Sequence, residues 1–191
     1  YIDVRVSFNS LTPDGLLPSV KEKLVKYYLD KLSRNPELQD KVEFEIVFTC
    51  YDLCFDDRYS ELKEHGFSDA ELEYLNQYLV AFTNRLLQKS PSIIRRDLDS
   101  VSRLKRYEVG ELSHATPAIV LERARQLLLE CRDLGALPFS RLARLAFIGL
   151  TLLRGLLKQG VIGKVFFDEY LSSMDTIVNN LRFDFSRLLQ N

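Results

Sequence analysis

Two stretches near the start of the chain alternate apolar and polar residues with a period of two. Ile2, Val4, Val6 and Phe8 alternate with Asp3, Arg5 and Ser7, and Val42, Phe44, Ile46 and Phe48 alternate with Glu43 and Glu45. That period puts one face of a strand into a core. The pattern predicts a small two-stranded β element that must lean on helices to be stable. The second stretch, Lys41 to Cys54, is the most strand-like run of the chain.

Elsewhere the apolar positions recur at three and four, the helical spacing. Pro13-Asp14-Gly15 predicts a turn. A helix follows with Val20, Leu24, Val25, Tyr28, Leu29 and Leu32 on one face. Asn35-Pro36 reads as an N-cap with proline at the first helical position. His65-Gly66 closes a short helix, and Ser68 with Glu71 forms a capping box. The helix opened there carries Leu72, Leu75, Leu79, Phe82 and Leu86, and Ser90-Pro91 predicts a further helix to Arg106. Periodicity lapses around Gly110.

Thr116-Pro117 then begins a helix that Gly135 ends, and a second from Pro138 is apolar around its whole circumference, which predicts a central position. A last one runs from Phe167 to Leu188. Short connections predict that these three helices pack antiparallel. The fold class is thus mainly α, an antiparallel helical bundle with a two-stranded β element near the N-terminus, α+β at the margin. The chain divides at 1–110, a β-strand and helix part, and 111–191, a three-helix part, within one compact domain. Gly149 and Gly155 mark places where another helix can approach closely.

The first residues read as the middle of a fold, so the chain is expected to be a piece of a larger protein. Over 191 residues, 26 basic and 27 acidic side chains nearly cancel, so no global field recommends nucleic acid or an anionic membrane as partner. The longest apolar run, Leu145 to Leu153, is nine residues, well short of the roughly 20 that a membrane span needs. Three cysteines without a regular spacing suit a reducing compartment, and the cytoplasm is the expected location.

The candidate chemistry is sparse. Cys50 and Cys54 with His65 and Asp52 lack the second ligand pair of a structural zinc site, and incidental buried thiols are the simpler reading. Neither His65 nor His114 sits in a recognisable nucleophile setting, although His114 could be a base or a phosphate carrier. Asp52, Asp56, Asp57 and Glu61 lack calcium-loop spacing, and a solvated helix face explains them. No glycine-rich phosphate loop is present. No catalytic or metal-binding residue is assigned.

The most suggestive group is basic: Arg95, Arg96, Arg103, Lys105 and Arg106. Spacings of seven and eight put three of these arginines on one helix face, where they could receive a phosphate or carboxylate. A solvated face paired with the acidic stretch Asp52 to Glu73 is the alternative. Aromatic interleaving is absent, which argues against nucleic acid.

Four strings carry a family resemblance in order along the chain: YIDVRVSFNSL (1 to 11), NPELQDKVEFEIVFTCYDL (35 to 53), GFSDAELEYLNQYLVAFTNRLL (66 to 87) and LPFSRLARLAFIGLTLLRGLLKQGVI (137 to 162). They resemble the central helical region of phosphoenolpyruvate synthase-like, PEP-utilising (PEP/pyruvate-binding) proteins. The resemblance implies an ATP-dependent phosphotransferase that uses ATP and Mg. Its partners would be an ATP-grasp domain and a swivelling phosphohistidine domain of the same polypeptide, with a small-molecule acceptor. This chain would be the linker or acceptor-binding part, holding no cofactor itself and not catalytic alone. A helical scaffold or protein-interaction domain without ligand is the second reading.

Overall fold

The computed structural model describes residues 3–105, 115–176 and 180. The chain begins with α1 (Val4–Leu11), a turn, and α2 (Pro18–Arg34). A 3₁₀ segment (Pro36–Lys41), a π turn (Val42–Ile46) and a second 3₁₀ turn (Phe55–Arg58) lead into α3 (Tyr59–Glu64). Then come α4 (Asp69–Lys105), α5 (Pro117–Glu130), a π turn (Cys131–Ala136), α6 (Leu137–Lys158) and α7 (Lys164–Ser173).

No strand occurs among the described residues, so the expected β element is corrected to helix. The cause at the first site is Asp3. Its carboxylate accepts the amides of Arg5 at 2.9 Å and Val6 at 3.2 Å, capping α1. Along α1 only Phe8 is buried, while Val4 and Val6 face solvent. The second stretch has no strand to pair with and coils into a π turn closed by the Val47 amide on the Val42 carbonyl, 3.0 Å. Asn35 is the N-cap of the 3₁₀ segment with Pro36 at its first position, as the sequence indicated, and it also caps the end of α2, its side-chain amide donating to the Lys31 carbonyl at 2.9 Å.

Both helix breaks predicted at prolines are absent. Pro91 lies inside the 37-residue α4. It withdraws the N–H that the Leu87 carbonyl would receive, and the Ser90 hydroxyl takes that carbonyl at 2.8 Å. Downstream, Gly135 ends nothing: α5, the π turn and α6 form one helix from Pro117 to Lys158. The wider π turn delivers Pro138 into the first turn of α6, where a missing N–H is tolerated. α5 and α6 are therefore collinear and not antiparallel. The boundary expected near Gly110, His114 and positions 177–179 and 181–188 of the last helix lie outside the described residues; α7 itself ends at Ser173, where Met174 turns extended.

The core lies in the first half of the chain. Tyr27 and Tyr28 of α2, Phe8, Ile46, Phe55 and Leu62 close around Leu72, Leu75 and Leu79 at the start of α4. Each fully buried leucine there is worth about 1.5–3 kcal/mol. The capping box predicted at Ser68 fixes that start, with the Ser68 amide on Glu71 at 2.8 Å and the Glu71 amide on Ser68 Oγ at 3.3 Å. Gly66 adopts φ 82° just ahead of it, closing α3 as the sequence indicated.

From there α4 leaves the core and runs beside α6. Contrary to the expectation of a central helix, α6 buries only Pro138, Ile148 and Gly155, and α5 buries no residue. Pro117–Lys158 is the one helix among the described residues long and apolar enough to cross a membrane, and 11% of its most apolar window is buried within the protein. A close approach does occur at Gly155, but to Leu53 of the turn ahead of α3 and not to another helix: a Cβ there would stand 2.9 Å from Leu53 Cβ, whereas Gly149 faces open space.

Candidate functional site

The basic group sits on the second half of α4, and the fold divides it. Arg95 is exposed, and among the described residues it forms no ion pair. Arg96 turns back to Asp97, its Nε donating to Oδ1 at 2.9 Å. Arg103 lies one turn from the end of α4, over a depression of about 420 Å³ shared with Leu129, Glu130, Asp133 and Leu134. Arg106 and the side chain of Lys105 lie outside the described residues.

Asp97 is the residue that sequence reading passed over. Its side chain is fully screened from solvent, and from α6 Arg141 reaches it with Nε at 2.7 Å and Nη2 at 2.9 Å. This two-pronged arrangement matches guanidinium to carboxylate geometry. The hydrogen bonds from Arg141, resisted by burial and aided by Arg96, hold the Asp97 carboxyl down to about 2. The acid is therefore a permanent anion at neutral pH. Nothing in the sequence links positions 97 and 141; only their helices' packing does.

The depression at Arg103 has a mixed lining. Asp133 is paired with Arg132 at 2.7 Å, and the buried Oε2 of Glu130 has no hydrogen-bond partner. Among the described residues no aromatic side chain lines it. The expected pairing of the arginines with Asp52 to Glu73 is also not what the geometry gives. In that stretch Glu61 pairs with Lys31, Asp57 with Lys158, Asp69 with Lys63 and Glu71 with Lys23.

A second polar constellation joins α2 to α3. Tyr27 is buried, and its hydroxyl donates to Glu61 Oε2 at 2.9 Å while accepting from Arg58 Nη2 at 2.7 Å. Arg58 also donates to the Ile46 carbonyl, and its guanidinium lies 3.9 Å from the centroid of the Phe48 ring. Lys31 donates to the same Glu61 oxygen at 2.9 Å. Burial raises the Tyr27 phenol far above its ordinary value despite the opposing charge of Arg58, so it stays protonated.

Beside it, Lys26, Asp30, Arg34, Glu64 and His65 line an open cleft of about 460 Å³. His65 Nδ1 stands 2.8 Å from the Glu61 carbonyl, and Nε2 stands 2.7 Å from Asp30 Oδ2. Both neighbours are acceptors, so the arrangement favours the ring protonated on both nitrogens, the imidazolium. Such a ring has no lone pair to attack with. In this arrangement His65 serves as a cationic clasp between α2 and α3.

Cys50 and Cys54 are buried free thiols, and burial pushes Cys50 up to about 11, away from nucleophilic thiolate character. Among the described residues, no group of three or more His, Cys, Asp or Glu side chains is placed to hold a metal ion.

No known protein family, curated protein or solved structure matches the chain.

Proposed function

We propose that this chain is the helical central region of a PEP synthase-like, ATP-dependent phosphotransferase, with a role in acceptor binding or in positioning a mobile phosphohistidine domain. The reading rests on the resemblance of the four ordered strings to that family. The mainly helical architecture is compatible with it. Catalysis would belong to the ATP-grasp and phosphohistidine domains, with ATP and Mg bound there.

The geometric observation that supports a ligand site is narrower. Arg95 and Arg103 are exposed on α4 and carry no ion pair among the described residues, and Arg103 borders a depression. A phosphate or carboxylate of the acceptor would meet these two guanidinium groups. Replacing both by alanine in the whole protein is expected to lower the rate of acceptor phosphorylation at least tenfold, a loss of about 1.4 kcal/mol of interaction. Turnover unchanged in that variant would remove the assignment of the patch.

The alternative, a scaffold without ligand, draws on a different observation. Arg96 and Arg141 are both committed to the buried Asp97, which is a structural use of two cations in this region. On that reading the Arg95 and Arg103 substitutions leave turnover intact and the Arg141 substitution impairs folding.

A further inference from the structure

α4 carries two apolar stripes, and only one of them is used. Leu72, Leu75 and Leu79 face the core and are fully buried. The second stripe begins one residue later. Val80, Leu87, Ile94 and Val101 follow one another at intervals of seven, and Asn84, Pro91 and Leu98 fall four residues after the first three. This alternation of four and three is the seam of a two-stranded coiled coil. Val80, Leu87, Ile94 and Leu98 are 37%, 44%, 40% and 53% exposed and Val101 is half-buried, so the described residues leave most of the seam uncovered.

We propose that this seam is a self-association surface, on which two copies of the chain pack α4 against α4, parallel and in register, about a two-fold axis. Three features of the seam select a second copy. It contains no charged side chain from Val80 to Val101, so it repels nothing presented by an identical surface. Its pattern is self-complementary, as a two-fold interface requires. Its one amide, Asn84, is satisfied within such an interface by its own counterpart, the device that fixes register in parallel helix pairs.

The seam also sets the strength of the interaction. Its 22 residues extend about 33 Å at 1.5 Å per residue. A strip of that length and one helix wide is smaller than the roughly 800 Å² per partner of a standard interface. The dimer is therefore weak, and dissociates on dilution.

Sedimentation equilibrium of the whole chain over a range of concentrations tests this directly. The expected result is a monomer–dimer equilibrium, shifted at least tenfold toward monomer by Ile94→Asp and left unchanged by Lys89→Asp, which lies off the seam. Circular dichroism confirms that each variant is folded; Ile94 is part-exposed in the monomer, so its replacement is tolerated there. A second measurement fixes the register: Leu87→Cys, on a Cys131→Ser background, is expected to form a disulfide-linked dimer on mild oxidation. A monomer at every concentration overturns the proposal, as does a dimer indifferent to Ile94→Asp or one that Leu87→Cys does not cross-link. A monomer that instead partitions onto phosphatidylcholine vesicles also overturns it and gives the stripe to a lipid surface.

Discussion

Arg141 of α6 holds Asp97 of α4 through two parallel hydrogen bonds of 2.7 and 2.9 Å, on a carboxylate that solvent does not reach. The pair ties together two helices that run side by side. Removing the guanidinium leaves Asp97 with only Arg96. Arg141→Ala is therefore expected to lower the unfolding free energy by about 2 kcal/mol, the scale for a buried charged acceptor losing its donors. Arg141→Lys should recover only part of that, because an ammonium cannot reproduce the fork. Urea denaturation of the three proteins measures both effects.

Acid should remove the same contribution. The Asp97 carboxyl titrates at about 2 in the folded chain, below its ordinary value of 3.8. A depressed carboxyl stabilises the fold above its unfolded value, and that stability is lost as pH falls through the folded one. The difference in stability between the wild type and Asp97→Asn is expected to be constant above about pH 5 and to shrink from about pH 4 toward 2. A difference independent of pH over that range would contradict the assignment.

His65 should act with the opposite sign. Burial lowers its imidazolium, but the hydrogen bond to Asp30, the Glu61 carbonyl and the Asp30 charge outweigh that and the opposing Arg34, so the ring titrates above its ordinary 6.5. A raised group gives its full stabilisation below the unfolded value and loses it as pH rises through the folded one. Wild type is expected to lose stability as pH rises above about 6.5 by an amount that His65→Gln does not lose. Proton NMR of the ring should show a single titration above 6.5, and one at or below that value would rule out the clasp.

Two glycines of α6 predict opposite outcomes. Gly155→Ala drives a Cβ to 2.9 Å from Leu53 Cβ and is expected to destabilise the chain by about 1–3 kcal/mol. Gly149 has nothing within 4 Å, so Gly149→Ala should stabilise it by roughly 0.5–1 kcal/mol through helix propensity alone. Thermal melts of the two variants settle the comparison.

Caps and stripes were legible in the sequence because they are local. The box at Ser68 and Glu71, the Thr116 cap and the stripe of Leu72, Leu75 and Leu79 all stand where periodicity and capping chemistry put them. The misreadings came where a local signal had a rival. Alternation from Ile2 to Phe8 predicted a strand, but Asp3 could cap a helix at the same place. Pro91, Gly135 and Pro138 read as breaks, yet a serine hydroxyl and a π turn let the helices continue. The apolar girth of α6 implied a centre that tertiary packing put elsewhere. Of the candidate site, the arginines of α4 were visible, but the Asp97–Arg141 pair spans 44 residues and leaves no local trace.

Labelling of the whole protein with ATP carrying isotope at its β-phosphate, with this chain alone as the control, tests the functional account most directly. The account predicts acid-labile phosphate on the whole protein and none on this chain, whose His65 has both ring nitrogens engaged. Label on neither would contradict the phosphotransferase reading and leave the scaffold. Label on this chain itself would contradict its assignment as the non-catalytic centre.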